Sequence, residues 1–196
     1  DIFTSGEEIN QDFVFTISDE VPEGYYTQIV TKIVSGRYMS ENVEYIEIGR
    51  VTEDFETADF TKLPWVLDGD SDWFVTDEDP YDGNYCARSG AIDNDEISSM
   101  KLTINHEGEP DTLSFYIKIS SEERNDYLAF LINDNVEEWW SGDLDWTKVS
   151  YIIPEGTHQL EWRYDKAAAN SAGEDCAWID RITFPFNSGL YLDNQE

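Results

Sequence analysis

The chain has 196 residues, and its 43 Asp and Glu against 12 Lys and Arg give a formal net charge of −31 at pH 7. So large a negative charge excludes nucleic acid and anionic membrane surfaces as partners, because both would repel the chain. With 40% hydrophobic and 14% aromatic residues, the chain can still bury a core of the Trp, Tyr and Phe side chains that β-strands favour.

The first fifty residues alternate between apolar and polar side chains, which is typical of β-strands. They predict three strands, at residues 11–17, 25–34 and 43–48. Three strands are too few for an independent sandwich. Residues 1–50 are therefore either the C-terminal part of a larger β-domain or a sheet that docks on the rest of the chain. Because the chain begins within this pattern, we expect a mature product or an excised fragment.

A second β-unit is predicted over residues 51–187, with residues 188–196 as a tail. Its strands alternate in the same way, and turn sequences such as Gly108-Glu109-Pro110 separate them. The predicted strands cover residues 73–75, 85–89, 99–104, 112–119, 127–132, 147–153, 158–164 and 177–184. Short strands at this spacing predict an all-β fold, an antiparallel jelly-roll sandwich. No apolar run approaches the length of a membrane span, so membrane insertion is not expected.

Asp180 lies on a predicted strand whose alternation places it on the same face as Trp178 and Ile182. A carboxylate on an apolar face is costly unless it is paired, hydrogen-bonded or bound to a metal. If the two ends of the domain meet, Asp180 can share one Ca²⁺ with Asp54 and Glu56, because calcium prefers about six to eight oxygen ligands. The alternative is that Asp180 accepts hydrogen bonds from backbone amides in a structural turn.

A second acidic stretch contains Asp68, Asp70 and Asp72, which match the D-x-D-x-D start of a calcium loop. The pattern fails further on, because Trp73 stands where glycine is needed and Asp79 stands where Glu is usual. We therefore favour a solvated acidic loop over a calcium site here.

Trp139 and Trp140 are neighbours, so strand alternation places one indole inside the domain and the other outside. An exposed indole can stack on a sugar ring, which makes Trp139 a candidate ligand-binding residue for a glycan. The alternative is core packing with one partly exposed ring.

The sequence lacks the signatures of an enzyme. Its two histidines, His106 and His158, are not at the spacing of zinc ligands, and it has neither a nucleophile elbow nor a phosphate-binding loop. With so many carboxylates, no pair of them points to a glycosidase. We therefore expect a non-catalytic chain, although the parent protein can be a peptidase or a glycosidase.

Four motifs fall in an order that resembles a known family of secreted bacterial modules. They are Glu-Asp-Phe-Glu at 53–56 with Leu-Pro-Trp at 63–65, Gly-Asn-Tyr-Cys-Ala-Arg-Ser-Gly at 83–90, Trp-Ser-Gly at 140–142 followed by Trp146, and Asp-Cys-Ala-Trp-Ile-Asp at 175–180. Their spacing resembles the cleaved-adhesin-like, or choice-of-anchor J, jelly-roll domains, which are related to MAM domains. Residues 1–50 resemble the immunoglobulin-like domains that often precede such modules.

The resemblance implies a cation site at Asp54, Glu56 and Asp180, with Ca²⁺ as the bound ion. For Cys86 and Cys176, the residues alone leave two alternatives, a disulfide in a secreted protein or two buried thiols in a cytosolic one. Family members with a cysteine at the second position tend to have one at the first, so the resemblance implies a disulfide.

The function that the resemblance implies is a calcium-stabilised binding or adhesion module of a larger secreted or cell-surface protein. Its expected partners are an extracellular protein or glycan and the other domains of the parent chain. Two alternatives stay open, an accessory domain of a gingipain-like cysteine peptidase and a carbohydrate-binding module fused to a glycosidase. A spacer that only positions other domains is a third possibility.

Overall fold

The computed structural model describes residues 26–47, 50–167, 172–186 and 188–190. These residues form strands, turns and loops, and they contain no α-helix. No described segment forms a helix long and apolar enough to cross a membrane. The chain divides into two compact units, residues 1–48 and 49–196. The strand predicted at residues 11–17 lies outside the described residues.

The described part of the first unit is a β-hairpin. Strand β1 (Tyr26–Ser35) pairs antiparallel with β2 (Tyr38–Glu47). The connecting turn contains Gly36 at a φ of 60°, a conformation that glycine adopts without strain. Both strands overlap those predicted from the alternation of apolar residues. The relation of this unit to an immunoglobulin-like domain stays a prediction.

The second unit contains the remaining strands. They are β3 (Thr52–Glu53), β4 (Val66–Gly69), β5 (Phe74–Thr76), β6 (Cys86–Arg88), β7 (Ile97–His106), β8 (Asp111–Ser120), β9 (Tyr127–Ile132), β10 (Asn135–Trp140), β11 (Asp143–Ile153), β12 (Gly156–Asp165), β13 (Cys176–Thr183) and β14 (Ser188–Leu190). The eight strands predicted for this unit are all present.

These strands form two antiparallel sheets. The front sheet has the strand order β10-β9-β12-β7-β14, and β4 also pairs with β7. The back sheet has the order β11-β8-β13-β6-β5, and β3 also pairs with β13. The prediction of an all-β, antiparallel jelly-roll sandwich is confirmed.

The core lies between the two sheets and is built from their inward-facing residues. Trp162 of the front sheet is fully buried, and its ring lies 5.3 Å from that of Phe115 in the back sheet and 5.2 Å from that of Phe130. Trp65 closes the same cluster, with its ring centroid 5.7 Å from that of Trp162. The aromatic content of the sequence thus fills the space between the sheets, where such rings stabilise the fold most.

Residues 188–190, which the sequence assigned to a tail, extend the front sheet instead. Strand β14 pairs with the end of β7, with Ser188 opposite His106. The segment is too short to show alternation, so the sequence carries no signal for it. The pairing places residues 188–190 at the edge of the front sheet.

Candidate functional site

Asp180 is buried in the back sheet and is satisfied by backbone amides. Its Oδ2 accepts hydrogen bonds from the amides of Tyr81 at 2.9 Å and Asp82 at 3.1 Å. Its Oδ1 accepts one from the amide of Arg181 at 2.6 Å. Arg181 has a φ of 47° and lies at a bulge in β13. This geometry matches the hydrogen-bonding alternative. Burial outweighs these bonds and raises the pKa of Asp180 to about 6.

Glu56, like Asp180, accepts hydrogen bonds from backbone amides, in this case those of the loop before β6. Its Oε1 accepts hydrogen bonds from the amides of Asn84 at 2.7 Å and Tyr85 at 3.0 Å, and its Oε2 accepts one from Asn84 Nδ2 at 2.9 Å. Burial opposes ionisation, but these bonds together lower the pKa of Glu56. Gly83 has a φ of 67°, which glycine adopts without strain, and a Cβ at this position would lie 2.3 Å from Glu56 Oε1. Glu56 is thus a loop-fixing residue in this structure.

Asp54 does not join Asp180 and Glu56, because its carboxylate pairs with Lys62. Among the residues that the structure describes, no three His, Cys, Asp or Glu side chains lie together so that they could hold a metal ion. Asp54, Glu56 and Asp180 therefore do not lie together as one carboxylate cluster in this structure. Calcium stabilisation stays a prediction, and each of the three acids has a partner of its own.

The acidic loop is also accounted for by contacts within the protein. Asp68 accepts a hydrogen bond from Lys101 at 2.7 Å, and Asp70 accepts one from the amide of Ile97 at 2.9 Å. Asp68, Asp70 and Asp72 are all exposed. These contacts agree with the favoured interpretation of a solvated loop.

Glu53 is a buried carboxylate that the sequence did not single out. It is fully buried, and it accepts hydrogen bonds from the amide of Phe55 at 3.0 Å and from Trp65 Nε1 at 3.2 Å. Lys62 Nζ lies 3.9 Å from its Oε1. Glu53 pairs opposite Ile182 in the back sheet, so it faces the same interior. The signal was available, because alternation over residues 51–56 places Glu53 and Phe55 on one face of a predicted strand.

Cys86 and Cys176 are both buried and not bonded to each other, so the disulfide implied by the family resemblance is absent. The register of β6 and β13 gives the reason, since it places Arg88 opposite Trp178. Continuing that register puts Cys86 opposite Asp180. Asp180 is four residues from Cys176, so at about 3.3 Å per residue the two cysteines lie about 13 Å apart along the strands. A disulfide needs Cα atoms within about 7 Å.

We expect both thiols to be unreactive in the native chain and both to react once it is unfolded, without prior reduction. Burial raises the pKa of Cys86 to about 12 and is also the main cause that raises the pKa of Cys176. Little thiolate therefore forms at neutral pH. Titration with a thiol reagent in buffer and in guanidinium measures this. If thiols appear in guanidinium only after reduction, the cysteines are bridged.

The outward surface of the front sheet carries the exposed candidate residue. We call this surface the indole face and define it by Trp139, Tyr127, Arg163, Glu161 and Lys101. Trp139 is 48% exposed, and its ring meets that of Tyr127 edge to face at 5.6 Å. The neighbouring Trp140 packs against the core instead. Alternation therefore places one indole inside and one outside, as predicted.

The strand register aligns polar side chains beside Trp139. Trp139 lies opposite Ala129, which lies opposite Arg163, and Arg163 lies opposite Ser99. Paired residues project from the same side of a sheet, so the indole and the guanidinium flank the small side chain of Ala129. An aromatic ring next to a hydrogen-bonding cation is a common arrangement in ligand sites.

Glu161 and Lys101 form a second row beside the row of Trp139, Ala129, Arg163 and Ser99, and side-chain contacts join the two rows. Ser99 Oγ donates to Glu161 Oε1 at 2.6 Å, and Arg163 Nη1 lies 3.9 Å from the same oxygen. Lys101 lies opposite Glu161 and pairs with Asp68. Glu161 is 4% exposed and Ser99 is 1% exposed, so these two side chains lie beneath the surface and hold Arg163 from below. The indole face thus offers the half-exposed indole of Trp139 with the cation of Arg163 beside it.

The comparisons with known proteins agree on the architecture. The K1 cleaved adhesin domain of Lys-gingipain from Porphyromonas gingivalis is 13% identical with a TM-score of 0.52, and the match covers 68% of this chain and 96% of that domain. TmCBM61, solved in complex with β-1,4-galactotriose, is 17% identical with a TM-score of 0.50, and the match covers 67% of this chain and 94% of that one. The chain is a β-sandwich.

A third similar structure is the secreted serine protease VesC from Vibrio cholerae, at 18% identity and a TM-score of 0.50. The match covers 87% of this chain but only 35% of that protein. No family model matches the chain, and no curated protein matches it. At these identities the similarities establish the fold alone, and the family implied by the sequence motifs stays a prediction.

Proposed function

We propose that the sandwich is a non-catalytic glycan-binding module of a larger secreted or cell-surface protein, and that it binds through the indole face. The observation that carries this proposal is the 48% exposed indole of Trp139 beside Tyr127 and Arg163. Sugar rings present an apolar face and a rim of hydroxyl groups. An indole can cover the face while Arg163 and neighbouring polar groups bind the hydroxyls.

The positions of the two histidines support a non-catalytic role. Both ring nitrogens of His106 face backbone carbonyl oxygens, of Phe186 at 3.0 Å and of Glu109 at 2.9 Å. His158 Nε2 lies 3.0 Å from the carbonyl oxygen of Pro154, and its Nδ1 lies 3.3 Å from Asn133 Nδ2. Both imidazoles thus serve the fold. The buried thiols also lack the thiolate character that a nucleophile needs.

The charge of the chain favours a neutral glycan as the ligand. A net charge of −31 repels polyanions, and Arg163 is itself flanked by Glu161 and Asp165, each with an oxygen 3.9 Å away. Because TmCBM61 was solved with β-1,4-galactotriose, a β-1,4-galactan is the first polysaccharide to test. Xylan, cellulose and an acidic polysaccharide complete the panel.

Replacing Trp139 by alanine should weaken binding to the best polysaccharide at least about tenfold, because a central aromatic contact contributes about 2 kcal/mol or more. Affinity electrophoresis through polysaccharide gels, followed by calorimetry, measures the loss. The variant should keep the melting temperature of the natural chain, since the ring it loses is half-exposed.

Phe74→Ala is the matched control for this experiment. Phe74 is 42% exposed and lies opposite Arg88 in the back sheet, away from the indole face. This variant should bind polysaccharide as the natural chain does. Equal weakening by both variants, or unchanged binding by Trp139→Ala, would exclude the indole face as the site. Failure of the whole panel would favour a protein partner or a spacer role.

A further inference from the structure

A buried cluster of titratable groups lies where β12 ends and β13 begins, in a part of the molecule that glycan binding does not use. It contains Lys166, Asp175, Asp126 and Tyr164. Asp126 and Tyr164 are fully buried, and Lys166 is 4% exposed. A lysine with so little access to water is rare unless it is paired.

The amine of Lys166 is held against one carboxyl group. Lys166 Nζ donates to Asp175 Oδ2 and also to the carbonyl oxygen of Ile92 at 3.3 Å. On the other side, the hydroxyl of Tyr164 donates to Asp175 Oδ1 at 3.3 Å. The amine of the buried Lys166 and the carboxyl carbon of Asp175, whose side chain is 24% exposed, are thus fixed beside each other.

Asp126 supplies a second carboxyl group to the same place. Its Oδ1 accepts a hydrogen bond from the amide of Ala167 at 3.0 Å, whereas its Oδ2 is buried without a donor among the described residues. Burial raises the pKa of Asp126, and the contact with the Asp175 carboxyl raises it further. A buried carboxyl group with a raised pKa can hold a proton and donate it to a neighbouring oxygen.

We propose that Lys166 and Asp175 form an intramolecular isopeptide bond, with Asp126 as the catalytic acid. The reaction requires one proton to pass from the Lys166 ammonium to the Asp175 carboxylate, which leaves a nucleophilic amine beside a neutral acid. No oxidant or other co-reactant is needed.

The bond changes balance as a condensation. Lys166 Nζ attacks Cγ of Asp175 while Asp126 protonates the developing oxyanion, which gives a tetrahedral intermediate. The nitrogen then loses a proton through Asp126, the bond from Cγ to one oxygen breaks, and that oxygen leaves as water. One C–N bond forms, one C–O bond breaks, and Asp126 returns to its acid form. The product closes the connection between the end of β12 and the start of β13 into a covalent loop.

The mass of the purified full chain tests the proposal directly. Loss of one water lowers the mass by about 18 Da, and trypsin can no longer cut after Lys166. We expect a single tryptic peptide of residues 164–181 that is about 18 Da lighter than its sequence. A peptide of residues 167–181 with a free N-terminus, as the main product from folded chain, would overturn the proposal.

Two variants distinguish this bond from other losses of water. Lys166→Arg keeps a cation at the site but removes the amine, and Asp126→Asn keeps the shape but removes the acid. Both should have their full sequence masses. The Asp82-Gly83 sequence can also lose water by forming a succinimide, but that loss would map to a different peptide and would persist in Lys166→Arg. An 18 Da deficit retained in Lys166→Arg would therefore count against the isopeptide bond.

Discussion

Replacing Asp180 by alanine should lower the free energy of unfolding by about 3 kcal/mol at pH 5, and by the same amount in calcium and in chelator. The variant leaves the backbone amides of Tyr81, Asp82 and Arg181 without the acceptor that they have in the folded chain. An amide that loses both its partner and its access to water incurs the full desolvation penalty. Urea unfolding followed by tryptophan fluorescence measures the change.

Asp180→Asn is the control for the pH dependence, because it keeps the shape of the side chain and removes the charge that titrates. Its Nδ2 replaces one of the two accepting oxygens, which lowers stability by an amount that does not vary with pH. The pKa of Asp180 is raised by burial from 3.8 to about 6, so the folded chain binds a proton more tightly than the unfolded chain. The stability from this group is complete below about pH 4 and is lost as the pH rises to about 6. A shift of about two pKa units corresponds to about 3 kcal/mol.

The natural chain should therefore lose stability relative to Asp180→Asn between pH 4 and pH 6. Comparing the two at each pH cancels the contributions of the other carboxylates. A gap that stays constant over this range would show that Asp180 is ionised throughout. A loss in Asp180→Ala that appears only with calcium present would instead restore the metal site predicted from the sequence.

The alternation of apolar residues predicted most strands, because strand burial has a period of two. Residues 112–119 and 158–164 were predicted as strands and lie within β8 and β12. Strand β10 was missed, and its bulge between Val136 and Glu138 breaks the alternation. Residues 51–56 also alternate as a strand does, and β3 lies within them. Strands β4 and β14 have four and three residues, which is too short for a periodic signal.

The candidate site was harder to predict, because one sequence pattern allows several physical outcomes. The apolar face around Asp180 requires a partner for the carboxylate, but amides and calcium satisfy that requirement equally well. Only the approach of Tyr81 and Asp82, about a hundred residues away, decides between them. The same limit applies to Cys86 and Cys176, which lie on neighbouring strands in a register that sequence spacing does not reveal.

Trp139 shows what the sequence can predict about a binding site. Adjacent tryptophans on a strand must face opposite sides, so one exposed indole was expected. Its neighbours were not, since Arg163 and Ser99 come from strands that are distant in sequence and adjacent only in the front sheet. The aromatic residue of a surface can thus be predicted from local pattern, whereas the polar residues that complete it depend on register.

Replacing Trp162 by alanine should lower the free energy of unfolding by about 4 kcal/mol, in contrast to less than about 0.5 kcal/mol for Trp139→Ala. The buried ring of Trp162 contacts Trp65, Phe115 and Phe130, so its removal leaves a cavity between the two sheets. Urea unfolding of both variants measures the difference.

The two tryptophans separate the stability of the sandwich from its proposed function. Trp162→Ala molecules that remain folded should bind polysaccharide as the natural chain does, because the indole face is intact, whereas Trp139→Ala should be stable and bind weakly. Comparable destabilisation by both would mean that Trp139 belongs to the core of the fold. In that case the ring of Trp139 would stabilise the fold and would not be available to stack on a sugar. Any binding by the front sheet would then depend on its polar side chains alone.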